Sequence, residues 1–243
     1  MRTTPLFLLL VALSCSSAAL AQPAAAPAAA TITHLSGTVT ARRDDGSPAR
    51  LLGARSQVAP GETISTANDT YARMKFTDGT EVVLKPETRF KIEQFQFDEK
   101  EPQKDNMVFG LLKGGLRSVS GLLGKRSREK VTYTTATATV GIRGTHFGMQ
   151  QCSDDCGNVP TVSGSALENG LHVDVASGAV VVSNAGGNLV FQAGQFGFVQ
   201  NANSVPVIVP PNQGFRVTLP PNIAAAAGGG RSVGGAGAEA CRP

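Results

Sequence analysis

Between Thr31 and Val209 helix signals are scarce, and apolar and polar residues alternate over short runs closed by Gly, Pro or Asp. Tyr71–Phe76 alternates with one charged face, Asp78-Gly79 supplies a tight turn, and Glu81–Leu84 returns before Pro86 stops the strand. A further alternating run covers Thr88–Glu93 and continues through Phe95 and Phe97. The same grammar recurs at Val180–Val182, Leu189–Phe191 and Phe196–Val199. Between Val108 and Gly124 five glycines interrupt an apolar stretch, which weakens a helix by about 1 kcal/mol per glycine and predicts a bent strand followed by a short helical turn. The expected fold class is therefore all-β.

A weak repeat refines that expectation. Ser36-Gly37-Thr38-Val39 leads through Leu51-Leu52 to a glycine turn and a third strand, and Ser177-Gly178-Ala179-Val180 leads the same way through Leu189–Phe191 to Ala193-Gly194. Stacked copies of such a unit bury a seam that no copy buries alone, which favours short strands forming a β-solenoid or roll, with a β-sandwich as the alternative.

The ends read differently. Residues 1–21 carry Arg2, the apolar run Leu6–Leu13 and a small-x-small close at Ala19-Leu20-Ala21, the pattern of a signal peptide cleaved between Ala21 and Gln22. Acylation at Cys15 is the second choice there. Residues 22–30 form an Ala/Pro leader and 210–243 a Pro/Gly/Ala-rich tail, both expected to be disordered. That leaves residues 31–150 and, continuing the same domain, 151–209. The chain is expected to be periplasmic or secreted and not membrane-spanning. Without Arg2 it carries 21 basic and 18 acidic residues, too mild a surplus for nucleic acid. The basic run Lys125–Lys130 reads as a solvated loop.

Export exposes the remaining cysteines to an oxidising compartment, so Cys152 and Cys156 of the segment CSDDC are expected to pair, leaving Cys241 alone. His34, His146, His172 and those cysteines do not fall at zinc spacings, and Asp154-Asp155 offers too few oxygens for calcium. His172 alternates with Asp174 on what reads as a wet face. No nucleophile elbow or triad is present, so no catalytic, cofactor-binding or metal residues are expected.

Several pieces, in order, resemble the FecR-type periplasmic domain: Gly37-x-Val39, Val58-x-Pro60-Gly61-Glu62, Ala72-x-Met74-x-Phe76-x-Asp78-Gly79-Thr80, Leu84-x-Pro86-x-Thr88 and Thr137–Phe147. The resemblance covers roughly Gly37 to Phe147. It implies an all-β, non-enzymatic, extracytoplasmic module with a binding or structural role. The best-known relatives are membrane-spanning regulators of a cytoplasmic sigma factor. This sequence departs from them, with a cleavable signal where they have a sigma-binding segment and a membrane helix. An envelope protein partner is expected, with a structural, surface-associated β-protein as the alternative.

Within the last motif, Gly141-Ile142-Arg143-Gly144 follows a strand-like run. A phosphate cradle needs a helix–loop–helix setting. A backbone corner is the better reading, with Arg143 satisfying carbonyls or a carboxylate at the bend and Phe147 returning to the sheet.

Overall fold

The computed structural model describes residues 27–216 and 218–224. The expected signal cleavage at Ala21/Gln22, the Cys15 alternative, Cys241 and most of the leader and tail lie outside the described residues.

The chain opens with β1 (Ala30–Leu35), β2 (Val39–Arg43), β3 (Arg50–Leu52), β4 (Gln57–Val58) and β5 (Glu62–Thr66). The hairpin strands β6 (Ala72–Phe76) and β7 (Glu81–Leu84) precede β8 (Arg89–Gln96) and the long β9 (Asn106–Val119). A one-turn helix α1 (Leu122–Arg126) leads to β10 (Val131–Thr134). Two further long strands follow, β11 (Thr139–Cys152) and β12 (Gly170–Asn184), then β13 (Gly187–Gln192), β14 (Phe196–Val199) and β15 (Val207–Val209). The short α2 (Pro221–Ala224) closes the described chain.

The long strands β9, β11 and β12 each belong to two ladders. One ladder runs β15, β14, β12, β11, β9, β7, β6, β1, β4. The other runs β13, β12, β11, β10, β9, β8, β5, β2, β3, with β9 and β10 its one parallel pair. Together they make one continuous sheet of 15 strands. Phe76 of the first ladder packs on Phe109 of the second at 4.8 Å, and Phe109 and Phe147 both contact the Tyr133 ring. The core thus lies between the two ladders, where tilted and edge-on rings add to area burial. The all-β class read from the sequence is borne out, as is the bent strand and short helical turn of 108–123. The solenoid detail stands as an expectation.

What lets a strand serve both ladders is a change of side-chain parity. In β11 the buried residues that face the core are Val140 and Ile142 before the corner, then Thr145, Phe147 and Met149 after it. In β12 they are Leu171, Val173 and Val175, then Val180 and Val182. Strand side chains alternate strictly, so only an extra residue can shift the buried set from odd to even. The shift falls at Gly144 (φ 62°) and Gly178 (φ 76°), where the β11–β12 register breaks between Arg143 and His146. The corner read in the sequence is this bulge. Thr145 staples it, donating from Oγ1 to the Ala179 carbonyl at 3.1 Å, while its own N–H and C=O bond the Ser120 hydroxyl at 3.0 and 2.9 Å. Arg143 does not do so: its side chain is exposed and among the described residues bonds no carbonyl or carboxylate, because the bend aims it outward. A Cβ at Gly144 meets nothing within 4 Å, so Gly144→Val carries left-handed strain alone. It should cost about 1–2 kcal/mol. For a domain of this size that lowers the melting temperature by roughly 2–8 °C; unchanged melting removes the bulge as a stability determinant.

The sequence repeat has a structural counterpart. Val39, two residues after Gly37, pairs with Leu52, and Val180, two residues after Gly178, pairs with Phe191. Each hairpin then returns through a positive-φ residue, Arg55 (68°) or Gly194 (83°). Arg55 donates its N–H to the Ile32 carbonyl and Gly194 to that of Val175, both at 2.7 Å. The two copies sit at opposite ends of the sheet.

Two limits are corrected. Ala29 and Ala30, read as leader, are buried, and Ala29 donates to the Val58 carbonyl because β4 needs a partner beyond the strand end. Phe215, read as tail, is buried as well. The basic run is not wholly solvated either: Arg126 forks onto the buried Asp105 at 2.8 Å per bond, holding that carboxyl below the usual carboxylate range.

Candidate functional site

The motif residues serve the fold. Asp78, in the β6–β7 hairpin, accepts from the Thr80 N–H and hydroxyl at 2.9 and 2.7 Å. Its carbonyl accepts the Leu122 N–H at 2.8 Å, so the Asp78-Gly79-Thr80 turn seats α1. Gly61, after Pro60, donates to the Ile92 carbonyl at 2.7 Å. The Glu62 carboxylate beside it accepts from Arg50 and from the Ala59 N–H at 2.9 Å. Thr88, two residues past Pro86, exchanges hydrogen bonds with Gly115 through its hydroxyl at 2.9 and 3.0 Å. Gly37 lies against Thr70, Gly141 pairs with Thr132 and Val181, and Phe147 is core. These residues are not gathered into one site; among the expected positions outside the CSDDC loop, Pro86 alone lines the groove described next.

After the bulges, the residues facing away from the core form rows across the first ladder. Lys85, at the end of β7, donates its backbone N–H to Gly115, which pairs with Gln150; Gln150 pairs with His172, and His172 with Phe198. A neighbouring row holds Arg73, Val83, Arg117, Gly148 and Asp174. This outer face is only partly open to water. Residues 212–216 and the loop after β11 cross it, joined by N–H donation from Val162 to Gly214 at 2.7 Å and from Ser163 to Asn212 at 3.0 Å. His172 is accordingly not on a wet face. It is 5% exposed, stacked 4.7 Å from Phe198, with Phe215 edge-on at 6.1 Å. Burial pushes its pKa down despite the bond to the Glu168 carbonyl. The cover comes from a segment some 40 residues later, which the local alternation does not reveal.

Where cover and sheet part, a groove of about 740 Å³ remains. Its floor is Lys85, Lys113, Gly114 and Gln150. The turn Asn68–Tyr71 and Pro86-Glu87 form one wall, residues 158–162 with Asp155 the other, and Arg216 the rim. The pairing expected between Cys152 and Cys156 is present, and it ties this second wall to the end of β11. Both cysteines, Leu167 and Phe215 make a small second core beneath the loop. The bridge closes a five-residue loop, so reduction should cost about 2 kcal/mol by chain entropy and loosen that wall first. Amide hydrogen exchange with and without reductant measures this; equal protection of residues 155–162 in both states contradicts it.

Most of the groove's charges are paired or open to water. Lys113 pairs with Asp155 at 3.5 Å, Arg216 lies over the Phe196 ring at 5.8 Å, and Arg216, Asp69 and Glu87 are exposed. Lys85 is the exception. Its Nζ donates to Gln150 Oε1 at 2.9 Å and stands 5.7 Å from the Phe215 centroid, with no carboxylate partner among the described residues. Burial pushes the amine down to about 8. A Cβ at Gly115 would stand 2.2 Å from Gln150 Oε1 and 3.0 Å from the Lys85 stem, so the glycine is what lets that pair form across β9. Neither Lys85 nor Gln150 carries a motif that sequence reasoning recognises. The one signal was Lys85 as the last outward residue before Pro86.

A second histidine, His146, accepts from Arg117 Nε, and burial with that guanidinium lowers its pKa. Among the described residues neither His146 nor His172 shares a hydrogen bond with a serine, threonine or cysteine side chain. No three His, Cys, Asp or Glu side chains there cluster as metal ligands, and no helix is long and apolar enough to cross a membrane.

Residues 62–181, just under half of the chain, match the family model described as FecR protein. The FecR-type resemblance is thereby borne out. The match starts later than the resembling motifs and reaches Val181, beyond the corner and into β12. Two crystal structures of a putative anti-sigma factor from Parabacteroides distasonis are similar at 17% identity and a TM-score of 0.45. The similarity covers 68% of this chain, and 64% and 63% of those chains, so this chain spans less than two thirds of their length. No curated protein matches the sequence.

Proposed function

We propose that this chain, FecR-type over residues 62–181, is an exported, non-enzymatic module that binds a protein partner of the cell envelope through the groove on its outer sheet face. The observation that carries the reading is the groove itself. It is of ligand-pocket size, its far wall is fastened by a disulfide, and its floor holds a cation that the fold leaves without a counter-charge. The signal-peptide pattern of residues 1–21 and the Cys152–Cys156 bridge support the extracytoplasmic location, and the lack of any histidine–nucleophile pair among the described residues supports binding over catalysis. The FecR-type match supports a signalling context.

The test is site-specific photo-cross-linking in intact cells. A benzophenone side chain at Asn158, exposed on the groove wall, should give one discrete protein adduct. The same group at Arg128, between α1 and β10, should not. Adducts to peptidoglycan alone favour the structural, surface-associated reading, and equal labelling from both positions rejects the groove as the docking surface.

A further inference from the structure

We infer that the groove takes a peptide segment by a single carboxylate, its C-terminus, with Lys85 as the counter-ion. The inference rests on the proposed docking role of the groove and names the chemistry of the docked group.

Three observations fix that chemistry. The first is charge count. The lining carries Lys85, Lys113 and Arg216 against Asp69, Glu87 and Asp155, so the site as a whole is near neutral. A phosphate or polyanion would meet three carboxylates. Arg216, Asp69 and Glu87 are exposed to water and Lys113 is paired, so Lys85 is the one largely buried cation of the lining without a carboxylate partner among the described residues, and one negative charge is what it calls for. The second is placement. Lys85 lies at the floor, held by Gln150 Oε1, with Gly114 and Gly115 beside it on β9. An anion reaching Lys85 therefore enters end-on, with the carboxylate inside and the rest of the ligand toward the rim. The third is the wall. Pro86, Val159, Pro160 and Val162 present apolar surface above the charged floor, and about 740 Å³ holds several residues, far more than a small free acid fills. The rim acids Asp69 and Glu87 then face the part of the segment farthest from its carboxylate, where backbone N–H groups or a basic side chain meet them.

In binding, the carboxylate leaves water and meets a cation already desolvated by the fold, so less of the usual desolvation cost falls on association. Lys85 holds its proton more tightly once paired.

The probe is acetyl-Ala-Ala-Val-Val with a free C-terminus, compared with its C-terminal amide, acetate and inorganic phosphate. Binding is read by calorimetry and by protection of the Lys85 amine from reductive methylation. The free acid should bind at least 10-fold more tightly than the amide and protect Lys85. Lys85→Met should bring that ratio to about 1, and Lys85→Arg should keep most of it, with melting curves confirming that both variants fold. Equal binding of acid and amide by the native protein overturns the inference, as does a preference that survives Lys85→Met. Acetate matching the peptide overturns the peptide assignment, and phosphate outcompeting both overturns the carboxylate. Asn158 cross-links that persist while acid and amide bind alike sink this inference and leave the docking role standing. A carboxylate preference without any cross-linked partner does the reverse.

Discussion

Gly178→Val should be strongly damaging, costing about 2–5 kcal/mol. Two penalties add. A valine at φ 76° carries left-handed strain of about 1–2 kcal/mol. Unlike Gly144, Gly178 has no room: its Cβ would stand 2.4 Å from the Gly144 carbonyl oxygen and 3.1 Å from that of Arg143. Both obstacles are backbone, so neither can swing aside. Overpacking of that kind costs a further 1–3 kcal/mol or so. Against a net stability of about 5–15 kcal/mol the variant would be marginal. Thermal unfolding should show a fall of roughly 4–20 °C, more than twice that of Gly144→Val when both are measured side by side. The ratio of the two is the informative quantity. If both variants lose the same amount, the damage is strain alone and the close approach of the two bulges contributes nothing.

That contrast shows how far the sequence was legible. The alternation of Tyr71–Phe76 and Thr88–Glu93, the Asp78-Gly79 hairpin and the stop at Pro86 are local, and local sterics write them into the chain. The corner at Gly144 was legible for the same reason: a glycine inside a strand pattern marks a bulge. Its partner Gly178 was visible as one half of a repeat, but nothing local says that the two bulges meet. Pairing between positions some 30 residues apart is decided by packing. The groove was hidden more deeply. Lys85 comes from β7, Gln150 from β11, Phe215 from beyond β15, and only the folded sheet brings them together. Burial of His172 was misread on the same ground, since alternation tells which face a side chain takes and not whether a distant segment covers that face. The motifs that looked most like a site turned out to be seats for turns, because glycine, proline and aspartate recur wherever backbone geometry is exacting.

Lys85→Met should stabilise the protein at neutral pH, and the gain should vanish in alkali. The folded-state amine titrates near 8, below its ordinary 10.5, so the unfolded chain binds the proton more tightly than the folded one. Below pH 8 the fold bears the whole penalty of burying the ammonium. Between about pH 8 and 10.5 the penalty falls away and native stability rises with pH relative to the variant. The full penalty is about 3 kcal/mol. Methionine fills the stem's volume but leaves Gln150 Oε1 without its donor, an offset of about 1 kcal/mol. The net gain at pH 7 is therefore about 2 kcal/mol, or roughly 4–8 °C. At pH 10.5 the variant should be no more stable than the native chain. Urea unfolding at pH 7 and pH 10 measures both ends, and a variant less stable at pH 7 would mean that Lys85 already has a counter-charge. A stability gain of that size on removing Lys85 is the result expected if the proposed ligand, docking against the disulfide-bridged wall, supplies the missing charge.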